Sequence, residues 1–224
     1  MKTLRFSLIL LAFMAFAQTT WAQLPCLPGH GETEDQTAWC GFTQTIALAA
    51  GWNWISSNVV ITMDDLKAAL VDTLPGTAIT IKSKNDGYAN YTGTRWKGTL
   101  STIDLTQMYQ VQVTSACEIT LTGEPIDPTE YPITIVPGVN WIAFPFAESM
   151  TLADAFAGFA MSGDNIKSKN DGFANYTNRW KGVLTNLVPG QGYIFTSPSS
   201  ETRTLVFPMP TSTAKSAPSK VLVP

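Results

Sequence analysis

The chain has 224 residues, of which 45% are hydrophobic and 14% charged, with a formal net charge of −3. The charged fraction is well below the roughly 25% usual in soluble proteins, and no basic excess exists to form the concentrated positive face that nucleic acid or an anionic membrane needs. Together with 16 Gly and 14 Pro, this balance suits an extracellular β-rich protein better than a cytosolic helical one.

Residues 1–22 read as a secretory signal. Lys2 and Arg5 supply a basic start, Leu8 to Ala17 is an apolar run too short to span a bilayer as a mature helix, and Thr20-Trp21-Ala22 offers small residues for cleavage before Gln23. No later apolar segment has the length of a transmembrane helix. Residues 23–43 form an irregular lead-in. There Cys26 and Cys40 bracket a polar loop, and a candidate disulfide between them would staple a segment poor in apolar content. Cys117 is left as a free thiol in an apolar strand pattern.

A first repeat is expected over residues 44–127. Thr45 to Leu48 is a short apolar strand, Gly51 interrupts it, and Trp52-Asn53-Trp54-Ile55 continues with period two. Trp54 and its later counterpart Trp141 are expected in the core. Thr62 followed by Asp65 opens a short amphipathic helix carrying Met63, Leu66 and Leu70. Ala78 to Lys84 is β-patterned. Asn85-Asp86-Gly87 is expected to supply positive-φ residues for a hairpin turn into Tyr88 to Tyr91. Arg95-Trp96-Lys97 follows, and Tyr109 to Thr114 with Glu118 to Leu121 reads as a closing hairpin.

The same order returns over residues 131–208. Ile81 to Thr92 recurs as Ile166 to Thr177 with one difference in twelve positions, Tyr88 against Phe173, and Arg95-Trp96-Lys97-Gly98 recurs as Arg179-Trp180-Lys181-Gly182. Thr151 and Asp154 start a second helix with Leu152, Ala155, Phe156 and Phe159 on its apolar side. A self-match of this quality marks a duplicated structural unit. Residues 209–224, rich in Pro, Ser, Thr and Lys, read as a linker or disordered tail. The fold expected is mainly β: two tandem homologous antiparallel domains, each with one short helix, packed on each other.

The motifs Gly51 to Ser56, Ile81 to Ser83, Trp96 with Gly98, and Pro189 to Tyr193 resemble a repeat of secreted and surface proteins of Bacteroidota. The resemblance covers about three quarters of the chain. It implies a module that decorates larger exported proteins and has no assigned catalysis. The first copy departs from it, with Leu105-Thr106-Gln107-Met108 in place of the Pro-Gly-x-Gly form.

Catalytic signals are sparse. His30 is the only histidine, and the acids cluster in turns and helix first turns, where a negative group has a structural role. No catalytic residue, metal site or cofactor is assigned. The repeated hairpins hold the ligand-binding candidates: Lys82, Lys84, Asn85, Tyr88, Asn90 and Trp96 in the first copy, and Lys167, Lys169, Asn170, Phe173, Asn175 and Trp180 in the second. Turn geometry accounts for Asn85, Asp86 and Gly87 but not for identical lysines, so a polar contact is expected, either between the copies or with a ligand. For Trp96 and Trp180 an inward, packed position competes with sugar stacking. The functional expectation is a secreted, non-catalytic interaction or structural module of a bacterial surface, with a cell-surface protein or glycan as partner. A carbohydrate-binding module is the alternative, and a glycan hydrolase the third reading.

Overall fold

The computed structural model describes residues 42–209. The expected signal, the Cys26–Cys40 bridge and most of the tail lie outside the described residues.

The first unit comprises β1 (Phe42–Leu48), β2 (Gly51–Ile55), α1 (Met63–Thr73), β3 (Ala78–Lys82), β4 (Tyr88–Thr92), β5 (Trp96–Gly98), β6 (Tyr109–Val113) and β7 (Cys117–Gly123). Its main sheet is antiparallel in the order β2-β6-β3-β4-β5, and β1 pairs with β7 in a separate ladder. The second unit comprises β8 (Ile133–Ile135), β9 (Gly138–Ile142), β10 (Met150–Thr151), α2 (Leu152–Ala155), β11 (Asn165–Lys167), β12 (Phe173–Tyr176), β13 (Trp180–Gly182), β14 (Asn186–Leu187), β15 (Tyr193–Ser197) and β16 (Arg203–Leu205). Its sheet runs β9-β15-β11-β12-β13, with β8 pairing β16. The two orders are the same, strand for strand. The added ladder of the second unit is the short β10–β14 pair.

Each unit buries its own core. In the first, Ile46, Ile55, Leu66, Leu70, Ile79, Ile81, Val111 and Ile119 meet between the main sheet on one side and β1, β7 and α1 on the other. In the second, Ile135, Ile142, Ile166, Leu187 and Leu205 meet Phe144, Phe156 and Phe195. The alternation of β1 and β7, buried at every second residue, is what a sheet with one wet face requires.

Local sequence explains the recurring pieces. Helix α1 starts with a reciprocal cap: the Asp65 N–H donates to Thr62 Oγ1 (3.2 Å) and the Thr62 N–H donates to Asp65 Oδ2 (2.7 Å). The Thr62 hydroxyl, donating to the same Asp65 Oδ2 (2.7 Å), and after it the Thr62 N–H hold the Asp65 carboxyl below its ordinary pKa. The repeated asparagine of the Trp strand is a latch. Asn53 Nδ2 donates to the Ala49 carbonyl (2.8 Å) while its Oδ1 accepts from the Ala49 N–H (2.9 Å), and Asn140 does the same to Val136 (2.8 and 2.9 Å). The amide thereby closes the turn that leads from β1 into β2, and from β8 into β9.

Three expectations are corrected. Helix α2 is a single turn of 4 residues, because Gly158 stands at φ 71° and sends the chain off the helical path. The stretch containing β6 and β7 is not a hairpin. β6 pairs with β2 and β3, whereas β7 pairs with β1. Trp54 and Trp141 are half-buried rather than core, because β2 and β9 are edge strands on which Asn53, Ile55, Asn140 and Ile142 take the inward positions.

Candidate functional site

The polar hairpin turns occupy equivalent settings. The Ser83 N–H donates to the Gly87 carbonyl (3.1 Å), and the Ser168 N–H to that of Gly172 (2.9 Å). The buried Ser83 Oγ accepts from the Asp86 N–H (2.6 Å) and donates to Asp86 Oδ2 (3.1 Å). Ser168 repeats both bonds with Asp171, each at 2.8 Å. Gly87 and Gly172 have φ of 94° and 86°, while no non-glycine residue of the described chain has positive φ. The expectation of positive φ at Asn85 and Asp86 is thus corrected: the serine hydroxyl organises the turn, and only the glycine needs the left-handed region.

This construction holds Lys84-Asn85 and Lys169-Asn170 outward, and each pair reaches the other unit. Lys84 and Asn85 share a cavity of about 260 Å³ with Asp104, Gln107, Asn140 and Trp141. Lys169 and Asn170 share one of about 300 Å³ with Gln191, Asn53 and Trp54. These are the same groove seen twice, once on each side of the junction. Lys84 Nζ also donates to the Val139 carbonyl across it.

The junction itself is reciprocal. The Ser56 N–H donates to the Gly190 carbonyl and the Ala143 N–H donates to the Thr106 carbonyl, both at 3.0 Å. Ser56 and Ala143 follow the Trp strands at matching places, and Thr106 and Gly190 sit in matching loops. Contact i-to-j answered by j-to-i is the signature of a two-fold interface, here approximate and within one chain. Ser56 Oγ adds a bond to the Gln191 carbonyl (2.7 Å) and accepts from the Phe144 N–H (3.2 Å). The Gly192 N–H donates to the Trp54 carbonyl (3.1 Å), so the loop of the second unit covers the open edge of β2.

Met108 and Gly192 are equivalent, and they meet where the axis passes. A Cβ on Gly192 would stand 2.2 Å from Met108 Cβ and 3.0 Å from the Ile55 carbonyl oxygen. The departure of the first copy from the Pro-Gly-x-Gly pattern is therefore complementary to the second: one side chain fills a space that has room for one.

The outer face of each main sheet presents a row of side chains leading to its groove. In the first unit the paired positions Trp54, Gln110, Lys82 and Tyr88 run across β2, β6, β3 and β4. In the second, Trp141, Ile194, Lys167 and Phe173 run across β9, β15, β11 and β12. Tyr88 is 46% exposed and Phe173 49%. The ammonium of Lys82 lies 4.7 Å from the Trp52 ring centroid, a cation–π contact. A parallel row holds Asn90 and Lys97, and Asn175 and Lys181. Asn175 Oδ1 accepts from Asn165 Nδ2 (2.7 Å), while Asn90 Oδ1 is buried without a partner.

Eight of the twelve hairpin candidates therefore lie along these two strips and their grooves, and Asn90 and Asn175 lie in the parallel rows beside them. Trp96 and Trp180 do not. Trp96 pairs with Tyr91, ring centroids 5.2 Å apart, and packs against the first core. Trp180 packs on Phe156 at 5.3 Å. Both indoles lie on the opposite sheet face from Asn90 and Asn175, because adjacent strand residues alternate. Of the two positions weighed for Trp96 and Trp180, the structure has the inward, packed one, away from Asn90 and Asn175. Gln110 and Ile194 carry no sequence signal for the strips, and Trp54 and Trp141, expected in the core, join them through the period-two placement that sets Trp52 and Trp54 on one face.

At the junction end of each sheet a tyrosine fixes the loop. Tyr109 Oη accepts from the Asp104 N–H and Tyr193 Oη from the Val188 N–H, each at 2.7 Å. Burial pushes the Tyr109 phenol up to about 12 and raises that of Tyr193 further. A third cavity holds Glu148 and Asp154, but Asp154 Oδ2 accepts from Thr151 Oγ1 (2.6 Å) as part of the α2 cap. No helix among the described residues is long and apolar enough to cross a membrane. No family model, curated protein or solved structure matches this chain.

Proposed function

We propose that the chain is a secreted, non-catalytic interaction module of a bacterial surface or extracellular protein, and that its two strips are the contact surface. The observation that supports this reading most is the doubling of Lys82-Tyr88 and Lys167-Phe173 on two wet sheet faces. Core packing does not call for those residues, and each strip ends in a groove completed by the other unit. An exposed aromatic ring beside a lysine gives apolar area together with a charge, a pairing common in recognition surfaces.

The hairpins then have two uses. Their backbone and Lys84 dock the units, while Lys82, Tyr88, Lys167 and Phe173 face outward. A carbohydrate-binding role is the second reading, and the exposed rings on the wet face favour it. The residues concerned are Tyr88 and Phe173, not the inward tryptophans.

Affinity capture from bacterial envelope fractions tests the proposal. The intact chain should retain a reproducible set of components, and the double variant Tyr88→Ser/Phe173→Ser should lose them with its melting temperature kept. Equal capture by both chains would overturn the reading.

A further inference from the structure

We infer that the two strips take an acidic polysaccharide, a glycan bearing uronate or sulfate groups. This rests on the reading of the strips as contact surface and adds the ligand's charge and shape.

Charge comes first. The outward positions of the two main sheets carry Lys82, Lys97, Lys167 and Lys181, and none carries a carboxylate. The whole chain is acidic, with 17 Asp and Glu against 14 Lys and Arg. A face holding only cations on a net-negative molecule is set against the average, and it complements an anionic partner. Asp86 and Asp171 are in the turns with an oxygen engaged by Ser83 or Ser168, and Asp104, in the groove beside Lys84, accepts from Thr106 and Gln107.

Shape and surface chemistry narrow the partner. The strip from Trp54 to Tyr88 crosses three inter-strand steps, roughly 14 Å, with the rings at its ends and a lysine and an amide between them. That is the length of a few sugar residues. A pyranose ring offers a C–H face to an aromatic ring, and its hydroxyls fit the amide groups of Gln110 and Asn90. A carboxylate or sulfate along the chain would meet the Lys82 ammonium, as a charge-assisted hydrogen bond. Both strips lead to the junction, where Lys169 stands by Trp54 and Lys84 by Trp141. An extended polymer can therefore engage both units, and two weak sites on one chain gain avidity. Nucleic acid is a poorer fit to the same surface, since its lysines are scattered among amides and rings and the arginines Arg95 and Arg179 stand only at the outer edge of each sheet.

Calorimetric titration of the full chain with polygalacturonate, alginate and chondroitin sulfate, against neutral dextran and arabinoxylan, tests this. At least one acidic polymer should bind, neutral ones should bind much more weakly, and added salt should weaken the complex. Lys82→Ala/Lys167→Ala should weaken binding about tenfold or more. Ala68→Glu/Ala153→Glu changes the net charge equally on exposed helix positions, and should leave affinity within about twofold. Equal weakening by both pairs would reduce the effect to net charge and overturn the inference. So would neutral polymers binding as well as acidic ones. Envelope capture that survives with no polysaccharide bound would overturn it while leaving the interaction reading intact, with a protein as the partner.

Discussion

The two units share one strand order but fill it differently. The first closes its core with an 11-residue helix and mostly branched aliphatic side chains. The second has one turn of helix and spends Phe144, Phe146, Phe156, Phe195 and Phe207 on the same task. These rings form a connected group with centroids 5.4 to 6.2 Å apart. Phe195 stands where the first unit has Val111. Interiors must be close-packed, so shortening a helix calls for larger side chains beneath it. The lesson is that the sheet order is conserved by pairing while the filling is free to vary at constant volume.

A second contrast is electrostatic. In the second unit Asp164, fully buried, meets Arg203 Nη2 at 2.6 Å. Arg203 also donates to Ser197 Oγ (2.9 Å) and the Phe159 carbonyl (3.2 Å), with its guanidinium over the Phe159 ring. Register places Ile79 and Cys117 at those positions in the first unit. An ion pair and an apolar pair thus solve the same structural problem.

That contrast predicts the largest effect. Arg203→Ala should destabilise the second unit by about 3–5 kcal/mol, since it strands a buried carboxylate. Asp164→Ile/Arg203→Cys, which installs the first unit's pair, should cost far less or nothing. Urea titration of the full chain reads both, and equal losses would mean that the pair is not exchangeable as a pair. Next in size is the junction. Gly192→Ala should cost about 1–3 kcal/mol through overlap with Met108, and Met108→Gly in the same chain should recover part of it. Additive losses would show that the two positions do not share one space.

Alkaline pH sharpens the comparison of loops. Burial raises the Tyr109 pKa to about 12, above the ordinary tyrosine value of about 10. Between those values the unfolded chain releases a proton that the folded chain keeps. Stability from the neutral phenol is thus complete below pH ~10 and falls as pH rises, by up to about 1.4 kcal/mol per pH unit. Melting curves from pH 9 to 12 should show this decline. Tyr109→Phe should remove about half of it, Tyr193 supplying the rest, while lowering stability at neutral pH by about 1–3 kcal/mol through the unpaired Asp104 N–H. The smallest effect belongs to Lys84→Ala. An exposed lysine bond across the junction should contribute no more than about 1 kcal/mol, and a larger loss would make the turn a main dock.

Much of the repeat was legible because its signals are local. The Thr62-x-x-Asp65 cap, the Gly87 turn and the alternation in β1 each depend on neighbours in sequence. What escaped depends on distance. Tyr109 to Leu121 looks like a hairpin, yet its two strands find better partners some 60 to 70 residues away, as Trp54 with Gln110 and Ile46 with Ile119 show. Trp54 and Trp141 look like core because large rings usually are, yet they stand on edge strands with Asn53 and Asn140 turned inward. Arg203 gave no sign of Asp164, 39 positions earlier. Of the candidate site, the hairpin residues were visible by repetition, but the grooves exist only where two units meet.

Met108 against Gly192 reaches beyond packing. One unit carries a peg and its sibling the socket, so two first units would collide peg to peg and two second units would close on a hole. Unlike halves alone mate well. When a crowded cell brings many newly made chains together, that mismatch discourages identical halves from pairing across molecules, and the tether between unlike halves of one chain gives the correct partner the advantage of being nearest.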